Sequence, residues 1–165
     1  SRKFLPQKKL ILMKTAKSAD FSDMVKLISH SADETEQIGE KIAKKLHGTE
    51  VIALFGGLGM GKTAFTSGFV KGLGINADVS SPTFAICNEY IGNDCRVYHF
   101  DMYRIESWDD LYSTGFFDYI DSGAYILAEW SENVFGALPD DSVIIEIEKL
   151  GDNDRRFKIM NKTEV

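Results

Sequence analysis

Several features are scarce in this sequence of 165 residues, and each scarcity excludes a class of protein. The two cysteines, Cys87 and Cys95, form neither a disulfide framework nor a metal-site spacing, and the three histidines carry no zinc signature. We expect both thiols to be reduced, as in a cytosolic protein. No hydrophobic run approaches the length of a membrane-spanning helix. The composition, 44% hydrophobic and 27% charged, is that of one globular domain with a proper core.

Basic side chains are also scarce beyond the N-terminus. Residues 1–23 contain six Lys or Arg and two Asp, whereas residues 24–165 carry 13 basic and 23 acidic side chains, a formal charge of about −10. A surface that acidic repels phosphate backbones, so we do not expect unaided nucleic-acid binding. The basic segment 1–23 could be an electrostatic arm or a targeting peptide, but it lacks a proper signal-peptide core and cleavage motif. We favour a leader or a disordered extension there, and one domain over residues 24–165.

The residues that are present point first to a phosphate-binding loop. Gly56, Gly61, Lys62 and Thr63 match G-x-x-x-x-G-K-T without a mismatch. Glycines allow backbone N–H groups to wrap closely around phosphate oxygens, while the lysine reaches the β- and γ-phosphates and the threonine hydroxyl ligates Mg²⁺. The predicted binders of a nucleoside triphosphate are Gly56, Gly57, Leu58, Gly59, Met60, Gly61, Lys62 and Thr63.

The context of the loop supports this interpretation. The short apolar run VIALF precedes the loop, and such a continuous run is typical of a buried parallel strand. Phe65, Phe69 and Leu73 follow at helical spacing, and Gly74 stands where a helix C-cap is expected. The N-terminus of that helix would direct its dipole at the phosphates.

The rest of the chain predicts an α/β fold: a P-loop NTPase-like mixed sheet flanked by helices, with an antiparallel portion. A capping-box pattern at residues 31–34 opens one helix, and residues 107–119 form an irregular helical stretch. Hairpin connections are expected at residues 92–94 and 151–154. Further strands are predicted at residues 25–29, 84–91, 95–103, 124–130, 143–149 and 155–160.

Two acidic residues are candidates for the carboxylate that holds Mg²⁺ or its waters. Glu129 ends one apolar run and Asp101 ends another, and such an acid belongs at the end of a strand next to the loop strand. His99 lies two residues before Asp101 and would share its strand face. The structural alternative for either acid is a strand-end charge that meets solvent. For His99 it is a hydrogen-bonded core histidine.

Missing motifs narrow the class of nucleotide enzyme. There is no D-x-x-G, and the one Asn-Lys pair, Asn161 and Lys162, leads to Glu164 rather than Asp, so a GTPase is not favoured. No arginine-rich lid follows the loop helix, which argues against an adenylate-type kinase. An ATPase is the favoured interpretation, and a P-loop kinase acting on a small metabolite is the alternative.

Four segments in order resemble the bacterial TsaE (YjeE-type) ATPases. They are GGLGMGKTAF, SSPTF at residues 80–84, VYHFDMYR at residues 97–104 and LAEW at residues 127–130. The resemblance runs from about residue 25 to residue 158. Gly57 departs from the family, which more often has an acidic residue there, and this should matter little to phosphate contacts.

The resemblance implies a cytoplasmic ATPase that uses ATP and Mg²⁺ and supports threonylcarbamoyladenosine modification of tRNAs that read codons beginning with A. It implies coupling of ATP binding and hydrolysis to the TsaD–TsaB complex, with tRNA reached only indirectly. We expect weak hydrolysis by the isolated chain, because none of its arginines is obviously fixed against the γ-phosphate.

Roles for individual residues follow from the same resemblance. Lys62 and Thr63 hold phosphate and Mg²⁺, and Glu129 is the Mg²⁺-linked acid. Asp101 is the acid near the γ-phosphate. The resemblance also assigns Thr83 to a switch-like loop, together with His99, and places Trp130 and Arg155 beside the nucleotide.

Overall fold

One mixed sheet organises the molecule. The computed structural model describes residues 25–46, 50–82 and 86–160. Its strands are β1 (Val25–Ser29), β2 (Val51–Phe55), β3 (Cys87–Ile91), β4 (Arg96–Asp101), β5 (Tyr125–Glu129), β6 (Val143–Lys149) and β7 (Arg155–Met160), in the order β1-β7-β6-β2-β5-β4-β3. Strands β6, β2, β5 and β4 pair in parallel, whereas the pairs β1–β7, β7–β6 and β3–β4 are antiparallel. The predicted fold class is confirmed.

Serine caps precede two of the helices and glycine precedes the other two. The four α-helices of the described residues are α1 (Ala32–Ala43), α2 (Lys62–Gly72), α3 (Trp108–Ser113) and α4 (Phe116–Ile120), and a 3₁₀ helix spans Ser131–Ala137. Ser31 accepts from the Glu34 N–H at the start of α1, but the Glu34 carboxylate accepts from the N–H of His30, one residue before the position that the capping box predicts. Gly115, at φ +78°, divides the predicted irregular helix into α3 and α4.

The core lies on both faces of the sheet. Ile52 and Leu54 of β2 face α1 and α2, while Val51, Ala53 and Phe55 face α3, α4 and the 3₁₀ helix. Because helices cover both faces, every residue of β2 is buried and the strand appears in the sequence as a continuous apolar run.

Glycines bring α1 and α2 into backbone contact. A Cβ at Gly68 would lie 1.9 Å from the carbonyl oxygen of Glu36, and a Cβ at Gly39 would lie 2.2 Å from that of Phe65. Any larger side chain at these positions would push the two helices apart. Because α2 begins with Lys62, this close contact also constrains the position of Lys62.

Some strand bounds differ from the sequence prediction. β4 ends at Asp101 rather than residue 103, because the chain turns after Met102, where the Ile105 N–H donates to the Met102 carbonyl. Cys87 and Cys95 are free thiols, as expected, and burial raises the pKa of Cys87 to about 12. Within the described ranges, no helix combines the length and apolarity that crossing a membrane would require.

Candidate functional site

The candidate site lies at the carboxyl ends of the parallel strands. Residues 56–61 connect the end of β2 to α2, and β2 pairs in parallel with both β5 and β6. β4 pairs in parallel with β5, and its last residue, Asp101, is opposite Glu129. The two predicted acids and the phosphate loop therefore share one edge of the sheet, where open α/β sheets bind their ligands.

The backbone of the loop requires glycine at its two ends. Gly56 has φ +145°, and a Cβ there would meet the carbonyl oxygen of Ile147 at 2.9 Å. Gly61, at φ +96°, is the N-cap of α2 and supplies no side-chain hydrogen bond to the helix. The first N–H groups of α2 are thus left without a side-chain cap, which is the arrangement that binds an anion at a helix N-terminus.

The remaining loop residues are mostly exposed. Gly57, Leu58 and Gly59 are open to solvent, and Leu58 is 87% exposed. Met60 is half-buried against the core on the α1–α2 side of the sheet. The part of the loop that would surround a phosphate is therefore accessible.

Lys62 is a buried cation held by two neutral groups. The residue is 6% exposed, its Nζ donates to the carbonyl oxygen of Gly56 at 2.8 Å, and the same atom lies 3.7 Å from the centroid of the Trp130 ring. Burial lowers the pKa of Lys62, and the charges of Glu129, Glu132 and Asp101 oppose that shift. An anion bound in the loop would compensate this charge directly.

Thr63 lies beside the loop that follows α2. Its Oγ1 is 3.1 Å from the hydroxyl of Ser81, a residue that the sequence analysis did not single out. Thr83, the predicted switch residue, lies outside the described residues. The Thr63 hydroxyl is exposed and can therefore reach a metal ion on a bound triphosphate.

The two acids differ in their surroundings. Glu129 is 3% exposed, and its Oε1 lies 2.8 Å from Nε2 of His99, which is itself fully buried. Asp101 is half-buried, and its Oδ1 accepts from the N–H of Tyr103. His99 thus holds Glu129 from inside the sheet, while Asp101 forms the turn after β4. The strand spacing predicts that His99 shares a face with Asp101. In the structure, the hydrogen-bond partner of His99 is Glu129.

The Trp130 ring covers the Lys62 ammonium, and the backbone of Trp130 is strained. It is the one non-glycine residue with positive φ among the described residues, at 56°. Its ring lies 5.0 Å from the ring of Tyr103. Such strain is typical of functional sites, because the surrounding structure must enforce it.

Arg155 is fixed against the phosphate loop. Its Nη1 donates to the carbonyls of Gly151, Asp152 and Asp154 in the β6–β7 turn, and its Nη2 donates to the carbonyl of Gly59 at 3.2 Å. From the sequence, Arg155 is predicted to lie beside the nucleotide, although no arginine is obviously fixed against the γ-phosphate. The structure places Arg155 beside the loop, engaged with backbone carbonyls of the turn and of the loop.

Glu132 was missed by the sequence analysis. Its Oε1 accepts from the N–H of Gly56 at 2.8 Å. Burial raises the pKa of Glu132, and the charge of Glu146 adds to this rise. The hydrogen bonds from its own N–H and from the Gly56 N–H, and the charge of Lys62, lower the pKa and oppose the rise. In the sequence, Glu132 is an acid in the turn after β5, and no spacing distinguishes it from a solvent-exposed one.

These residues suit a triphosphate with Mg²⁺ better than a metal ion alone. The parts of the chain that the structure describes hold no group of three or more His, Cys, Asp or Glu side chains able to bind a metal ion. Mg²⁺ in triphosphate sites keeps several waters and takes other ligands from the phosphates, so one hydroxyl and one carboxylate from the protein are enough. Thr63 and Glu129 are of those two kinds.

Comparisons with known proteins place this chain in a family. The family model "Threonylcarbamoyl adenosine biosynthesis protein TsaE" matches residues 29–157. The tRNA threonylcarbamoyladenosine biosynthesis protein TsaE of Treponema pallidum is 33% identical, over 82% of this chain and 99% of its own. The TsaE protein of Bacillus subtilis is 38% identical, over 76% of this chain and 78% of its own. The crystal structure of Bacillus subtilis YdiB superimposes with a TM-score of 0.71 at 31% identity, covering 85% of this chain and 86% of its own.

Proposed function

The chain belongs to the TsaE family, whose members act in tRNA threonylcarbamoyladenosine biosynthesis, and from this premise we propose that it is a cytoplasmic ATPase. The family resemblance in the motifs is confirmed. We further propose that ATP binding and hydrolysis are coupled to a complex of TsaD and TsaB, which carries out the modification of the tRNA.

The observation that carries the proposal is the state of Lys62. A buried ammonium whose hydrogen-bond partner is a carbonyl, in a loop with glycines at both ends, is suited to a polyanion. The uncapped N-terminus of α2 adds backbone donors at the same place. The loop would hold the phosphates through these N–H groups, and Lys62 would contact the β- and γ-phosphates.

The acids would serve two different steps. Thr63 and Glu129 would hold Mg²⁺, Glu129 directly or through water, and when bound Mg²⁺ would neutralise charge on the phosphate oxygens. His99 keeps the Glu129 carboxylate in one orientation through the 2.8 Å contact. Asp101, half-buried at the adjacent strand end, would orient the attacking water and accept its proton.

The coupling to partners rests on charge and on the arginines. Residues 24–165 are strongly acidic, which suits docking on a basic protein surface and disfavours direct binding of tRNA. The two terminal nitrogens of Arg155 donate to four backbone carbonyls, while its Nε is buried without a hydrogen-bond partner within the described residues. A partner would have to redirect Arg155 or supply an arginine of its own to complete the site.

ATP binding is tested by calorimetric titration of the protein and of its Lys62→Ala variant, with circular dichroism as the control for folding. We expect the variant to keep its fold and to lose nearly all affinity for ATP, because the charge of the β- and γ-phosphates is no longer compensated. Undiminished affinity in a folded Lys62→Ala variant would disprove the phosphate-loop assignment.

A further inference from the structure

The turn after β5 connects three separate parts of the site. Trp130 covers Lys62, and the Asn133 side chain donates to the carbonyls of Met102 and Tyr103 in the turn that follows Asp101. Between them, Glu132 reaches the first glycine of the phosphate loop. This short segment is therefore tied both to the loop and to the end of β4.

The peptide groups of Gly56 are held on both sides of its Cα atom. The N–H donates to Oε1 of Glu132 at 2.8 Å, and the carbonyl accepts from Nζ of Lys62 at 2.8 Å. Glycine has the freest backbone of any residue, so these two hydrogen bonds decide which way its carbonyl points. A change on the Glu132 side is thus transmitted to Lys62 through one residue.

Glu132 occupies this place at a cost to stability. Its second oxygen, Oε2, is buried and has no hydrogen-bond partner within the described residues. Burying a carboxylate without satisfying both oxygens is unfavourable, and native proteins keep such groups where they serve a purpose. Two charged side chains act on the Glu132 carboxylate: the Lys62 ammonium lowers its pKa, and the Glu146 carboxylate of β6 raises it.

We infer that Glu132 is a positioning residue for nucleotide binding: it fixes the backbone of Gly56 so that the carbonyl holds the Lys62 ammonium in place for the phosphates. The inference rests on the proposed ATP-binding function. It assigns Glu132 a role through its hydrogen bond to the Gly56 N–H, and no contact with the nucleotide is required.

Two variants separate the hydrogen bond from the charge. Glu132→Ala removes the acceptor, whereas Glu132→Gln keeps an oxygen that can accept from the same N–H. We expect Glu132→Ala to bind ADP and the non-hydrolysable β,γ-imido analogue of ATP, each with Mg²⁺, about tenfold more weakly, as loss of one oriented contact to a buried group predicts. Glu132→Gln should bind within about twofold of the parent.

A second measurement reads the hydrogen bond without nucleotide. In the free protein, the amide proton resonance of Gly56 should move upfield in Glu132→Ala and stay near its original position in Glu132→Gln, because a hydrogen bond to oxygen shifts an amide proton downfield. Glu148→Ala is the matched control, since that carboxylate pairs with Arg156 and Lys158 on the adjacent strand and should change neither readout.

The outcomes distinguish this inference from the proposed function. If Lys62→Ala loses binding while both Glu132 variants bind like the parent, the positioning role is wrong and the ATP site stands. Equal weakening in Glu132→Ala and Glu132→Gln, with Gly56 unshifted in the latter, would also overturn it, because charge would then be the cause. Unchanged nucleotide binding in Lys62→Ala would show that the proposed ATP-binding function itself is wrong.

Discussion

Replacing Gly68 by alanine tests how the packing of α2 on α1 fixes the position of Lys62, the lysine that we propose binds phosphate. Gly68 lies on α2, six residues after Lys62, where the helix meets α1 backbone to backbone. The added Cβ would be 1.9 Å from the carbonyl oxygen of Glu36, and 2.5 Å from its carbonyl carbon. Backbone atoms cannot swing aside as a flexible side chain can. The two helices would have to separate by about 1.5 Å to reach an ordinary contact distance of 3.4 Å.

Two opposing effects set the magnitude. Alanine favours a helix over glycine by about 1 kcal/mol. Overpacking a well-packed interior typically costs about 1–3 kcal/mol, and a contact with backbone belongs at or above the upper end of that range. We therefore expect Gly68→Ala to lower the free energy of unfolding by about 2 kcal/mol, or about 4–8 °C in melting temperature for a domain of this size.

The assay is thermal unfolding by circular dichroism together with calorimetric titration of ATP. Ser67→Ala, on the same helix and only half-buried, is the control and should change stability by less than about 0.5 kcal/mol. ATP affinity should fall in Gly68→Ala, since a displaced α2 carries Lys62 with it. A Gly68→Ala protein as stable as the parent, or more stable, would refute the claim that α1 and α2 touch through this glycine.

The site carboxylates give two further predictions. Glu129→Gln should retain ATP but lose Mg²⁺-dependent hydrolysis, because shape is kept while the charge that fixes metal or water is removed; if Asp101→Asn stops hydrolysis and Glu129→Gln does not, the two acids have been assigned the wrong way round. Burial raises the pKa of Glu132, so Glu132→Gln should be more stable than the parent at neutral pH, with the difference shrinking as pH falls through that raised pKa toward 4.5. Glu148, whose pKa is lowered mainly by its hydrogen bond to Lys158, should show the opposite sign: Glu148→Gln is less stable at neutral pH, and chemical unfolding at several pH values checks both.

The strand, loop and helix around Lys62 could be predicted from the sequence because their parts are local. Gly56 and Lys62 are six residues apart, and the strand and the helix on either side each leave a pattern in adjacent residues. The bounds of β2 and β6 followed for the same reason, since hydrophobic periodicity is a local signal.

The contacts that complete the site are non-local and left no such pattern. His99 meets Glu129 across 30 residues, Glu132 meets Gly56 across 76, and Arg155 meets Gly59 across 96. Each depends on strand order, which neither periodicity nor motif spacing encodes. The 3₁₀ helix that carries Glu132 was likewise not predicted, because Trp130 enters it with a positive φ that only the packing around it enforces.

Phosphate release at fixed ATP decides whether this chain is, as we propose, an ATPase that depends on its partners. The measurement compares the isolated protein with the protein mixed with TsaD and TsaB, with Lys62→Ala as the inactive control. We predict slow release alone and a clear change, either acceleration or a trapped bound state, when the partners are added, since an arginine at the developing charge is worth about 10³–10⁵ in rate and Arg155 is occupied by carbonyls. Turnover of many per second by the isolated protein, unaffected by TsaD and TsaB, would exclude the proposed coupling and favour a kinase acting on a small metabolite.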